Sequence, residues 1–104
     1  MSDVDSPDFV KIPLSIRVRH SPDAFWVPIG SELVVHSVSR ATSHVLDAMA
    51  GLLWQCIDGE SRIEAILDDI SDVYDVELDR VVDDFLPIVA SWLNDGILEV
   101  VNDD

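Results

Sequence analysis

Residues 46–98 leave this chain few choices of fold. Three amphipathic segments of helical period follow one another there, separated by Asp58-Gly59 and by a polar loop around Asp75, and the last stops at Gly96. Asp47 has the side chain to cap a helix running to about Ile57, with Met49, Leu52, Leu53 and Cys56 on its apolar face. Gly59 then supplies a left-handed residue past its end. Ser61 and Glu64 have the spacing of a capping box, in which each side chain accepts from the other's free backbone amide. Ile63, Ile66, Leu67, Ile70 and Tyr74 form one stripe of this second helix, predicted over 61–74. A third helix is predicted over 78–94, with Val81, Phe85, Ile88, Val89 and Trp92 on its apolar face. Pro87 falls inside it, removes one backbone donor and predicts a bent axis, with a break there as the alternative.

The segment before these helices reads as strands. Leu14, Ile16 and Val18 alternate with Ser15, Arg17 and Arg19, the period-2 signature of a half-buried strand. Ser21-Pro22-Asp23 is turn chemistry, and Ala24 to Val27 is a short second strand closed by Pro28 and Gly30. Glu32 to Val38 is rich in β-branched residues, Ser39-Arg40-Ala41 makes a hairpin loop, and Thr42 to Leu46 returns antiparallel beside it. The expectation is a sheet of three strands, with room for a fourth short piece near the start. Its open edge is Thr42–Leu46 or the first strand. Residues 1–10 read as a flexible acidic tail and 11–104 as one domain. The fold class is therefore α+β: a three-stranded antiparallel sheet followed by a three-helix bundle, a winged-helix-like arrangement with the sheet placed first.

Charge excludes whole classes of function. The net charge is −15, and residues 46–104 hold sixteen acidic side chains against only Arg62 and Arg80. Such a surface repels a phosphate backbone, so nucleic acid is not an expected partner. A winged-helix transcription factor needs a basic recognition helix, yet residues 78–94 offer Arg80 against Asp79, Asp83 and Asp84. A single cysteine allows no intrachain disulfide, no apolar run reaches the ~18 residues of a membrane span, and the first residues are acidic where a signal peptide is basic. A cytoplasmic location is expected.

Catalytic and metal motifs are also missing from the sequence. His20, His36 and His44 have no zinc spacing, and His36 and His44 are expected only as a structural pair across the hairpin. The acidic cluster from Asp68 to Asp79 lacks the central glycine of a calcium loop, and Cys56 reads as a small buried hydrophobe. Trp54 and Trp92 are expected to serve the core and Trp26, in a polar-flanked strand, to be exposed. No phosphate loop, dinucleotide turn or activated nucleophile is present. The chain is expected to be no enzyme and to carry no cofactor and no metal.

Leu46-Asp47 opening a helix, Trp54 near its end, Asp58-Gly59, Tyr74-Asp75-Val76, Asp84 in the third helix and the closing Gly96-Ile97-Leu98 resemble the PqqD family over roughly residues 30–100. These are peptide-recognition domains, also called RiPP recognition elements, of pathways for ribosomally made, post-translationally modified peptides. Two positions depart from the pattern. Asp47 stands where the family usually has Asn, a substitution that keeps the cap, and Pro87 is not called for. The resemblance implies a peptide chaperone that binds the leader segment of a precursor peptide as an added strand. It then works with a separate modifying enzyme, often a radical S-adenosylmethionine protein, in other cases a ligase or protease.

Carried onto this chain, the resemblance makes Thr42, Ser43, His44, Val45 and Leu46 the receiving strand, with Val81, Asp84, Phe85 and Ile88 facing it from the third helix. Strand addition stands on physics as well, because an unpaired edge presents free N–H and C=O groups that an extended peptide satisfies. Arg40 lies beside that strand, and with Arg17 and Arg19 on the same sheet an acidic leader is expected to dock there. The alternative is a general interaction adaptor, or a homodimer closed through the same edge.

Overall fold

The computed structural model describes residues 12–101. In chain order the elements are β1 (Arg17–His20), β2 (Ala24–Ile29), β3 (Glu32–Ser37), β4 (Thr42–Leu46), α1 (Ala48–Cys56), α2 (Ile63–Tyr74), α3 (Leu78–Asp95) and β5 (Leu98–Val101). The α+β class and the helix order are as read from sequence. The sheet is not. β2, β3 and β4 form an antiparallel sheet in that order, whereas β1 pairs with β5 in a separate two-stranded sheet, Arg17 opposite Val101 and His20 opposite Leu98. The expected tail falls outside the described residues. No helix among these is long and apolar enough to cross a membrane.

The first strand begins later than its alternation suggests because residues 14–16 have another task. The amides of Ile63 and Glu64 donate to the carbonyls of Ile16 and Leu14, each at 2.9 Å. These satisfy two of the donors that every helix start leaves orphaned. The expected Ser61–Glu64 capping box does not form: the N-cap is Arg62, with no side-chain bond, and Ser61 instead donates its amide and hydroxyl to Asp58. Those donors, with the Glu60 amide, hold the Asp58 carboxyl below the usual range. Local capping works at α1, where the Asp47 carboxylate accepts from the Ala50 amide at 2.9 Å. Gly59 has a positive φ of 80°, but α1 has already ended through extended Ile57, so the glycine serves the next turn.

α3 runs unbroken through Pro87 and ends as expected at Gly96, φ 81°. There the Gly96 amide donates to Leu93 and the Ile97 amide to Trp92, which turns the chain into β5. At the end of α2 the same left-handed position is held by Asp75, φ 54°.

The core is centred on Trp54, fully buried on α1. Its ring stacks on His20 of β1 at 4.1 Å and meets Trp26 of β2 and Trp92 of α3 edge-on, both at 5.3 Å. One side chain thus joins both sheets to two helices. Trp26 is exposed, as expected, at 37%. The buried face of α1 is Gly51, Leu53 and Trp54. The expected face is rotated: Met49 is exposed, and Leu52 and Cys56 are half-buried. Cys56 is accordingly no core residue; partial burial, with Asp69 nearby, raises its thiol pKa.

His20 gives the fold a pH dependence. Its Nε2–H donates to the Trp54 carbonyl at 2.8 Å, and burial lowers its pKa below the ordinary 6.5. Above that value both folded and unfolded chains hold it neutral. As pH falls through 6.5 the unfolded chain takes up a proton that the folded chain resists, so stability drops. Urea unfolding midpoints at about pH 7.5 and 5.5 should differ in that direction, and the His20→Gln variant should show a smaller difference.

Candidate binding groove

Among the described residues β4 has one strand neighbour, β3, so its other flank is an open edge. The opposite edge of this sheet, β2, contains Pro28. Proline offers no amide to an incoming strand, a usual way of blunting an edge. β4 carries no proline, which makes it the receptive side.

The register sorts the β4 side chains. Leu46, His44 and Thr42 stand opposite Leu33, Val35 and Ser37, whose side chains are buried, so these three share the inner face. Ser43 and Val45 point to the outer face, where Val45 is 63% exposed. Leu46 is itself core, at 5% exposure, so it can offer a peptide only backbone. His36 and His44 are no cross-strand pair: His36 stands opposite Ser43 and shares a 2.7 Å hydrogen bond with its hydroxyl.

α3 meets this strand at the helix's C-terminal end. There His44 Nδ1 comes within 3.8 Å of the Asp95 carboxylate, and the Arg40 guanidinium lies so close over Gly96 that a Cβ on that glycine would stand 2.8 Å from its Nε. A cation in that place suits the negative end of α3, whose last turn has no basic residue. Asp23 fixes the hairpin that presents Arg40. Its carboxylate accepts from the Ser39 amide and hydroxyl and from the Ser37 hydroxyl, bonds that hold its pKa below the ordinary value. The other two arginines are elsewhere. Arg17 and Arg19 lie on β1 in the second sheet, where Arg19 pairs with Glu99 at 3.0 Å, so they do not share the sheet of Arg40 as expected.

Towards its start, α3 contributes Val81, Asp84, Phe85 and Ile88 to one cavity of about 240 Å³. All four expected helix positions are therefore brought together. Val81 and Phe85 are buried and form its floor, Ile88 is half-buried, and Asp84 is exposed at the rim. The remaining wall is Met49 of α1 with Ile70, Tyr74 and Val76 of the α2–α3 corner. Met49, Tyr74 and Val76 were not anticipated as site residues; Met49 and Tyr74 were assigned to the core. Met49 follows closely on Leu46, so the cavity opens near the end of β4. An engineered cavity of about 150 Å³ admits benzene, and this one has room for a large apolar side chain. Among the described residues no three His, Cys, Asp or Glu side chains gather as a metal site.

The family model described as coenzyme PQQ synthesis protein D (PqqD) matches residues 32–98. The chain belongs to the PqqD family. A solved structure titled TbiB1 in complex with the TbiA(beta) leader peptide is similar, with a TM-score of 0.72 at 26% sequence identity over 82% of this chain and 99% of that one. No curated protein matches the chain. The matched family segment begins at β3 and ends at Leu98, so it includes β4, all three helices and every wall of the cavity.

Floor and wall should separate in stability measurements. Phe85→Ala removes a ring that is 7% exposed and should cost about 3–5 kcal/mol, whereas half-buried Ile88→Ala should cost about 1–2 kcal/mol. Urea denaturation of the two variants gives both values.

Proposed function

We propose that this protein binds the leader segment of a ribosomally made precursor peptide by strand addition to β4 and presents it to a separate modifying enzyme. The observation that carries the reading is an unblunted strand edge beside a preformed apolar cavity, in a fold similar to one solved with a leader peptide. Thr42 to Leu46 supply backbone groups. Val81, Phe85 and Ile88 shape the cavity that accepts one peptide side chain, Asp84 stands at its mouth, and Arg40 closes the hairpin end.

Magnitudes divide the labour. About four backbone bonds at ~0.5–1.5 kcal/mol net give roughly 2–6 kcal/mol, before the cost of ordering the peptide. Micromolar affinity needs about 8 kcal/mol. Burying one large apolar side chain adds ~1.5–3 kcal/mol, so the cavity is required as well as the edge.

Handing the peptide on needs a surface that the peptide does not cover. The outer face of the sheet offers one: Phe25, Val27, Ile29 and Val45 are all exposed there. The competing reading is a general adaptor or a dimer that uses the same β4 edge. An enzyme partner, whether a radical S-adenosylmethionine protein or another modifying enzyme, would meet sheet and leader together, since an added strand extends this face. A role in nucleic-acid binding is disfavoured electrostatically: α3 carries Arg80 against Asp79, Asp83, Asp84 and Asp95.

The test is a fluorescence titration with the leader of a precursor peptide encoded next to the gene. Binding at or below tens of micromolar is expected, and Ile88→Ala should weaken it about three- to tenfold. N-methylating successive leader amides should abolish binding at alternate positions only, because every second amide of an added strand faces β4. No binding, or loss without the two-residue period, contradicts strand addition.

A further inference from the structure

We propose that the cavity beside β4 selects a peptide carrying a lysine or arginine two residues from its apolar anchor, with Asp84 as the group that recognises it. The inference rests on the peptide-binding reading and gives the chemistry of its ligand. It also replaces the acidic leader expected from Arg40.

Asp84 is the one charged residue lining the cavity, and apart from the Tyr74 hydroxyl the other lining side chains are apolar. That carboxylate is held by nothing strong: Arg80, one turn earlier, stands 3.9 Å away, and the two side chains are 76% and 65% exposed. Such a pair contributes little and yields readily to a competing cation. The surroundings reinforce the sign. Asp75 and Glu77 flank the cavity-lining Val76 in the α2–α3 corner, both exposed, and no basic residue lines the cavity. Further along the same wall, Asp84, Ile88, Ser91 and Asp95 follow helical spacing on one face of α3, so a second carboxylate stands where α3 reaches His44. A peptide laid along β4 therefore passes an apolar cavity with a carboxylate at its rim, while Arg40 offsets Asp95 at the far end of α3. The net charge of −15 adds a long-range attraction for a basic segment.

The strand geometry sets the spacing. Same-face neighbours in an extended peptide are two residues and about 6.6–6.8 Å apart. A side chain filling the cavity thus puts its neighbours two positions away at the rim, where Asp84 stands. Asp84 acts on specificity, since its contribution to affinity is screened by solvent.

Selection from a random 15-residue peptide library displayed on phage tests this with the full chain. Enriched peptides should share a large apolar residue with Lys or Arg two positions from it. Selection on Asp84→Asn should keep the apolar preference and lose the basic one, while Asp84→Glu should keep both. For one selected peptide, Asp84→Asn should weaken binding about two- to fivefold, and the loss should disappear when the peptide's basic residue is glutamine. Enriched peptides without a basic preference, or equal losses for both peptides, overturn the inference and leave the peptide-binding reading standing. If no peptide is enriched over a control surface, that reading fails and the inference with it.

Discussion

Everything in this fold is hung on the indole of Trp54. It is fully buried, stacks on His20 and meets Trp26 and Trp92 edge-on, so strands from both sheets and two helices share one contact. Aromatic pairs in these geometries contribute about 0.5–1.5 kcal/mol each beyond area burial. More consequential is what the contact fixes. With β2 held through Trp26 and α3 through Trp92, the sheet and α3 are set at a fixed separation, and the space beside β4 becomes a groove with defined walls. The hydrogen bond from His20 to the Trp54 carbonyl ties β1 to the end of α1.

The two edges of the three-stranded sheet then differ by chemistry rather than by position. β2 has Pro28 in its ladder, and β4 has no proline among its five residues, so its outward amides are free to donate. A protein with two receptive edges would risk pairing with its own copies; blunting one directs strand addition to the other. In the proposed reading the cavity makes that edge specific. Backbone bonding is indifferent to sequence, so selectivity has to come from the apolar floor around Phe85 and the carboxylate of Asp84 at its rim.

How much of this was legible in the sequence follows from the range of each interaction. The β3–β4 hairpin, the Asp47 cap and the Gly96 stop are local, and residues 32–47 and 96 announce them directly. β5 was missed because Leu98–Val101 is only four residues long and its partner β1 lies some eighty residues earlier. The capping box at Ser61 failed for the same reason: carbonyls of Leu14 and Ile16, almost fifty residues away, took over the helix start. On α1 nearly every position is apolar, so periodicity could not phase the helix, and the expected face took in Met49, Leu52 and Cys56, none of which is fully buried. That surplus of apolar residues was the available sign of a binding wall. The proposed peptide-binding positions on β4 and α3 came from the family resemblance, and the structure gathers the four on α3 around one cavity.

The central claim is that the free flank of β4 is a vacant backbone template. Amide hydrogen exchange of the protein alone and saturated with leader peptide measures this directly. The account predicts fast exchange at alternate amides of Thr42–Leu46 in the free protein and strong protection of those amides on binding, with β2 unchanged. Slow exchange along all of β4 before any peptide is added would contradict it.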